Sequence, residues 1–298
     1  MMLNVETKEK IILLTDFSAV ASLRRYVDRN EKKFKALLSR MSDQIREAIN
    51  IKSVERAIQL GSVPVEWQDR IKEAVREFVR DGILPEWVRA MEAGSRGIVR
   101  EINLLQRKQF EFNPTSQEVQ NWVDDRGGAL IVQISSEQWK AINAVLAQYT
   151  IQEPLSPYQL LKKIKPLIGL TEKETLAVLR FEAALREEGL SPAIIQKQVE
   201  RYASYLHENR AYRIARTELS FAYNRGQLEA VRQAIESGWL PGQAKKVWLT
   251  APDDRLCDIC ESLDGEERDL DEPFSIGEDA PPAHPNCRCS VSYQVRRE

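Results

Sequence analysis

The sequence predicts a mainly α-helical protein, a multi-helix body followed by a small β-rich module at its C-terminal end. Three observations predict it. Over about the first 240 residues, apolar side chains recur at intervals of three and four, the period of a helix with one buried face. From Lys246 the period shortens to two, as in a strand. All four cysteines and one of the two histidines fall within a 33-residue span, whereas the preceding 256 residues contain no cysteine.

Three regions follow from the breaks in this pattern: residues 1–115, 116–242 and 243–298. In the first, Phe34, Leu37, Leu38, Met41, Ile45, Ala48 and Ile49 form an apolar stripe, with Lys32, Lys33, Lys35, Arg40 and Arg46 on the wet side. A second helix is expected from about Glu66 to Arg80 on the stripe of Trp67, Ile71, Val75 and Phe78, stopped by Asp81-Gly82. Pro64 and Pro85, each just ahead of a tryptophan, mark helix starts. Phe112-Asn113-Pro114-Thr115 closes the region.

The second region opens with a helix through Trp122 that should end near Asp125-Arg126-Gly127-Gly128. The apolar run from Ala129 to Ile134 fits either a buried strand or an extended connection. Ser135-Ser136-Glu137-Gln138 and Thr171-Glu172-Lys173-Glu174 both have the form of a capping box, and Ser156-Pro157 and Ser191-Pro192 mark two further helix starts. A last helical stripe runs from Ile195, Val199, Tyr202 and Leu206 on to Ile235, with Gly226 a candidate interruption. In the third region, Lys246 to Thr250 and Ser290 to Val295 are expected strands, and Asp264-Gly265 is a hairpin signal. So few residues bury little core unaided.

The cysteines offer a remedy. Cys257-Asp258-Ile259-Cys260 is followed, after 23 residues, by His284-Pro285-Asn286-Cys287-Arg288-Cys289. A Cys-x-x-Cys turn brings two thiolates to one side of a tetrahedral ion, and a second knuckle closes the other side. The expected structural zinc site is Cys257, Cys260, His284 and Cys287, with Cys289 as the substitute for His284. Free thiols or two disulfides are the alternatives, the latter disfavoured in a reducing cytosol. A catalytic cysteine fits less well, because catalysis needs one thiol beside one base, and these thiols come as two close pairs.

Charge and hydropathy exclude other classes. The formal net charge of −2 is uneven: residues 251–298 carry 13 acidic groups against five arginines, leaving +6 on the rest. An acidic module is poorly suited to gripping a phosphate backbone, while the mildly basic body leaves room for non-specific DNA contact. Ile11-Ile12-Leu13-Leu14 is too short for a signal peptide, and no stretch is long and apolar enough to span a bilayer. A cytoplasmically made, non-membrane protein is expected.

Ala215-Arg216-Thr217-Glu218, Val247-Trp248-Leu249-Thr250, Cys257 to Gly265 and His284 to Cys289 together resemble the C-terminal pattern of the phage head-morphogenesis family, the minor head proteins of the phage Mu F and SPP1 type. The resemblance spans about residues 116–293. It implies a low-copy structural protein of a phage or prophage, made in the host cytoplasm and housed in the capsid interior of the virion. Its implied partners are the portal protein and a scaffold or major capsid protein, in a head that packages DNA. It implies no enzymatic activity. Rival readings are a zinc-containing DNA-binding protein, or a family member with a toxin or nuclease activity; only nine residues follow Cys289, and one histidine lies in the module. Arg216 and Glu218 are read either as an ion-paired contact to the module or a neighbouring subunit, or as an ordinary exposed helix pair. Trp248 is read as a core plug, Asp264 and Gly265 as a turn, and His207 is given no role.

Overall fold

The computed structural model describes residues 10–14, 18–149, 155–253 and 255–297. Along the chain the elements are β1 (Lys10–Leu14), α1 (Ser18–Ala48), α2 (Ile51–Leu60), α3 (Val65–Glu77), a π-helical turn (Phe78–Ile83), α4 (Leu84–Gln106), α5 (Gln117–Ala147), α6 (Pro157–Ile164), a 3-10 turn (Lys165–Leu167), α7 (Glu172–Glu187), α8 (Pro192–Glu236), β2 (Ala244–Leu249), α9 (Asp258–Leu263), β3 (Glu267–Asp269) and β4 (Ser290–Arg297). The fold is mainly α with a small antiparallel sheet, as the sequence predicts. Two compact units interleave along the sequence. One, the sheet unit, comprises Met1–Glu31, Pro85–Val123 and Arg213–Glu298; the other, the helical unit, comprises Lys32–Leu84 and Asp124–Tyr212.

In the sheet unit the strand order is β1-β4-β2-β3, every pair antiparallel. The central β4 opposes Leu14 with Tyr293 on one side and Trp248 with Val291 on the other. The apolar run at residues 11–14 is therefore part of an edge strand drawn from far away in sequence. Trp248, Val291, Tyr293 and Val295 form one core with Ile98 and Ile102 of α4 and Leu228, Val231 and Ala234 of α8. Trp248 is fully buried and meets Phe274 edge-on, with ring centroids 5.0 Å apart.

Two glycines set the approach of α4 to α8. A Cβ on Gly94 would lie 2.0 Å from the Tyr223 carbonyl oxygen, and one on Gly226 would lie 2.1 Å from the Met91 carbonyl oxygen. Each helix thus presents a bare backbone to the other. Gly226 does not interrupt α8, which continues to Glu236; close packing, not a break, accounts for it.

In the helical unit the expected capping box at Thr171 forms with Glu174, and the helix start expected at Ser156-Pro157 is capped likewise, with Gln159 as reciprocal partner. Asn50 and Ser53 make a third capping box ahead of α2. Three expectations are corrected. Asp81-Gly82 stops nothing: the chain widens into the π-helical turn and runs directly into α4. The run from Ala129 to Ile134 is neither strand nor connection but the middle of α5, which also passes through Gly127-Gly128. Leu130, Ile134, Ala141 and Val145 are buried at helical spacing, so packing on one face overrides the local β propensity and the glycine pair. Ser135 lies inside that helix and caps nothing; it is 1% exposed.

One turn of this unit, residues 165–170, has five of its six carbonyls met by side chains. Arg46 donates to the carbonyls of Lys165 and Ile168, each at 3.1 Å. His207 Nε2 lies 2.9 Å from the Pro166 carbonyl, and Arg210 donates to that of Gly169. Gln138 donates to the Leu170 carbonyl at 2.8 Å and accepts from Gly169 N–H at 2.7 Å. Arg210 also pairs with Glu137 and Glu174. Burial, with Arg46 and Arg210 nearby, outweighs the Pro166 contact and pulls the His207 pKa below its ordinary value.

Candidate metal centre

The cysteine-histidine cluster belongs to the sheet unit. The first knuckle is built on the start of α9: Cys257 is the residue before the helix and Cys260 sits in its first turn, with Glu261 N–H donating to the Cys257 carbonyl at 2.9 Å. A short helix begun at a cysteine throws the side chain three positions on back toward it, which is why two intervening residues suit the pair. The second knuckle is a tight turn, closed by Cys287 N–H donating to the His284 carbonyl at 3.1 Å. Asn286 within it has φ of 63°, a left-handed conformation that asparagine tolerates better than most residues.

These two turns bring their donors together. Cys257 Sγ and Cys260 Sγ each lie 3.1 Å from His284 Nε2, and Cys260 Sγ lies 3.6 Å from Cys287 Sγ. Metal bonds of about 2.0–2.3 Å in a tetrahedron imply donor separations of roughly 3.5–3.8 Å, so the cluster is already near that size. Cys257, Cys260 and His284 form one group able to hold a metal ion, and Cys260, Cys287 and Cys289 form another, sharing Cys260. The Cys260–Cys287 separation is well beyond a disulfide's about 2.05 Å. His284 Nδ1 lies 2.9 Å from the Pro285 carbonyl, an arrangement that keeps the proton on Nδ1 and leaves the Nε2 lone pair facing the thiols.

The thiols of the cluster are pulled in opposite directions. A hydrogen bond from Cys289, winning over burial, lowers the Cys287 thiol to about 5, whereas burial and the neighbouring Cys287 charge push Cys260 up to about 12. Cys289 is raised by its bond to Cys287 and by burial. Cys257 is lowered, chiefly by the Cys260 backbone N–H. For His284, the Pro285 carbonyl and the charges of Cys287 and Cys257 outweigh burial and raise it. Thiolates packed this closely repel, and one can ionise only at its neighbours' expense unless a cation joins them.

Helix α8 supports the second knuckle. Asn286 N–H donates to Thr217 Oγ1 at 3.1 Å. The Asn224 amide donates to the carbonyls of Pro281 and Cys289 at 3.1 and 3.4 Å, and Ser290 Oγ donates to Asn224 Oδ1 at 2.9 Å. Arg288 pairs with Asp253. Thr217, Ser220, Asn224 and Gln227, spaced three, four and three, put a polar stripe on α8 where an apolar one would be ordinary. That stripe was the available signal for Thr217 and Asn224, neither of which the sequence reading had given a role.

The remaining expected residues fall nearby. Arg216 pairs with Glu31 of α1 at 2.6 Å and with Asp28 at 3.8 Å. Glu218 is 5% exposed, so it is not an ordinary surface residue. Asp264 Oδ1 accepts from Thr250 N–H at 3.1 Å and Thr250 Oγ1 at 2.8 Å. Gly265, at φ of 74°, donates its N–H to the Trp248 carbonyl at 3.0 Å. Their turn joins α9 to β3; the hairpin expected there does not form, since the element ahead of it is helical. No helix among the described residues is long and apolar enough to cross a membrane.

Residues 181–292 match the family model of the Phage Mu protein F like protein, over the segment that holds α8, β2 and the whole cysteine-histidine cluster. No curated protein and no solved structure matches the chain.

Proposed function

Taking the match to Phage Mu protein F like proteins as the premise, we propose that this chain is a structural minor head protein of a tailed phage or prophage. It acts at the portal inside the capsid and contributes to building the DNA-filled head. The observation that carries the reading is the preformed cluster of thiols and imidazole within the matched segment, pinned to α8. We take its metal to be zinc, since soft sulfur donors with one imidazole in a tetrahedral arrangement suit that ion. Cys257, Cys260, His284 and Cys287 are the proposed ligands, with Cys289 as the alternative to His284.

The role is assembly, not catalysis, and we assign no catalytic residue. A bound cation supplies charge neutralisation, allowing the close thiols to ionise together. The residues do the rest: the first knuckle fixes α9 and the second fixes the start of β4. Thr217, Asn224 and Ser290 then lock the second knuckle onto α8, giving a rigid surface for the portal protein, with scaffold or major capsid protein and non-specific DNA as further contacts.

Elemental analysis of the purified protein with thiol titration tests the centre. About one zinc per chain, with thiols released only on chelation and unfolding, is expected. No metal, with four freely titrating thiols, removes it. In the phage, Cys257→Ser and Cys287→Ser should give defective heads and fail to retain the protein on purified portal; a normal titre with both variants would discard the assembly role.

A further inference from the structure

The sheet unit carries a second constructed feature, away from the cysteines. Arg96, Arg100, Leu104 and Arg107, spaced four, four and three, follow one face of α4 and its end, opposite the buried face of Ile98 and Ile102. With Val99, Asn103, Lys108 and Phe112 they line an open groove of about 840 Å³. Leu104 is 70% exposed. Among the described residues, none of the four cations Arg96, Arg100, Arg107 and Lys108 makes an ion pair, whereas Arg216, Arg225, Arg232 and Arg288 of the same unit do.

The second wall of the groove is fixed in advance. After Arg107, where φ is 55°, the chain folds back on α4. Asn103 brackets Phe110, accepting from its N–H at 2.6 Å and donating to its carbonyl at 3.2 Å. Gln233 does the same for Asn113, at 2.8 and 3.0 Å. The Phe110 ring is buried 6.0 Å from that of Trp239. A loop held at two backbone positions by side-chain amides loses little freedom when something binds to it.

We propose that this groove docks an acidic amphipathic helix of a partner protein. The apolar face of that helix covers Leu104, Val99 and Phe112, and its carboxylates meet Arg96 and Arg100 at one end and Arg107 and Lys108 at the other. The stretch from residue 92 to 107 is roughly 22 Å long at 1.5 Å per residue, which suits about four turns of helix. Charge complementarity selects an acidic partner, and the exposed leucine selects a protein over nucleic acid. Phosphate-binding surfaces present cations and polar groups, whereas an apolar floor placed against a DNA backbone would lose water and gain nothing. Glu92 and Glu111 in the lining would repel phosphates but can accept a basic residue from a peptide. The inference rests neither on the metal nor on the family match.

The test uses the full chain with two exposed-site variants, Arg100→Glu and Leu104→Ser. The probes are a fluorescent Leu/Glu peptide of about four turns with helical amphipathic spacing, the same composition scrambled, and a short DNA duplex. The proposal expects the amphipathic peptide to bind and each variant to weaken it about tenfold or more, while the scrambled peptide binds far more weakly. Equal binding of both peptides would overturn it, as would no peptide binding. Duplex binding that falls with Arg100→Glu while the peptide ignores Leu104→Ser would reassign the groove to nucleic acid.

Discussion

The cluster of residues 257–289 and the turn of residues 165–170 solve the same problem in opposite ways. Each is an irregular segment whose backbone must be fixed without a ladder of its own. In the helical unit, Arg46, Gln138, His207 and Arg210 meet five of the six carbonyls of the turn, and every bond is complete within the chain. In the sheet unit, four thiols and an imidazole converge so that their own charges oppose their proximity. The first arrangement is fixed by covalent sequence alone. On the proposed reading the second depends on a cation, so the two regions should respond differently to the same perturbations.

The largest separation is expected from metal removal. Chelation, or Cys287→Ser, should destabilise the sheet unit by several kcal/mol, on the order of a structural metal's contribution to a small module. Hydrogen exchange should then show amides of β2 and β4 losing protection while Gly169 and Leu170 keep theirs. Equal loss in both regions would mean that the cluster is not a separate dependency. Next, Arg210→Ala removes a 4% exposed cation from Glu137, Glu174 and the Gly169 carbonyl, and is expected to cost about 3–5 kcal/mol with no dependence on chelator. A chelator-sensitive effect would break the comparison.

Two smaller effects sharpen it. Gly226→Ala places a methyl group against the Met91 carbonyl and should cost about 1–3 kcal/mol in denaturant unfolding, because backbone has nowhere to move. Asn224→Ala removes the donor to the Pro281 and Cys289 carbonyls and the nearer acceptor of the Ser290 hydroxyl, an expected loss of about 1–2 kcal/mol. It should also raise the metal dissociation constant, which Gly226→Ala should change far less. Competition with a chromogenic chelator would measure both.

Much of this was legible in the sequence because it depends on short-range chemistry. The two knuckles are visible as spacings, and Pro157 behind Ser156 and Glu174 behind Thr171 announce their helices. Where distant packing decides, local signals mislead. Gly127-Gly128 and the run from Ala129 to Ile134 look like a break and a strand, but Leu130 and Ile134 are buried on a helical face that passes through both. Gly226 looks like an interruption because only the neighbouring helix explains it. The interleaving of the two units is likewise invisible, since no local pattern tells residues 85–123 to join residues 213–298. Asn224 was legible in principle, as a polar residue in a helix that should have been apolar there.

The pairing of β1 with β4 bears on the order of events at the ribosome. Leu14 waits for Tyr293, and at about 5–20 residues per second the intervening chain of about 275 residues takes roughly 15–55 s to emerge. Throughout that interval an Ile-Ile-Leu-Leu segment lacks its native neighbour, the kind of stretch that recruits other nascent chains. Pairing of β1 with β4 is therefore late, and the stretch that leads into β4 also supplies Cys287 and Cys289. Burial of the first strand and gathering of the thiols thus depend on the same late stretch, so that a chain cut short of it would be exposed as sticky and proteolysable.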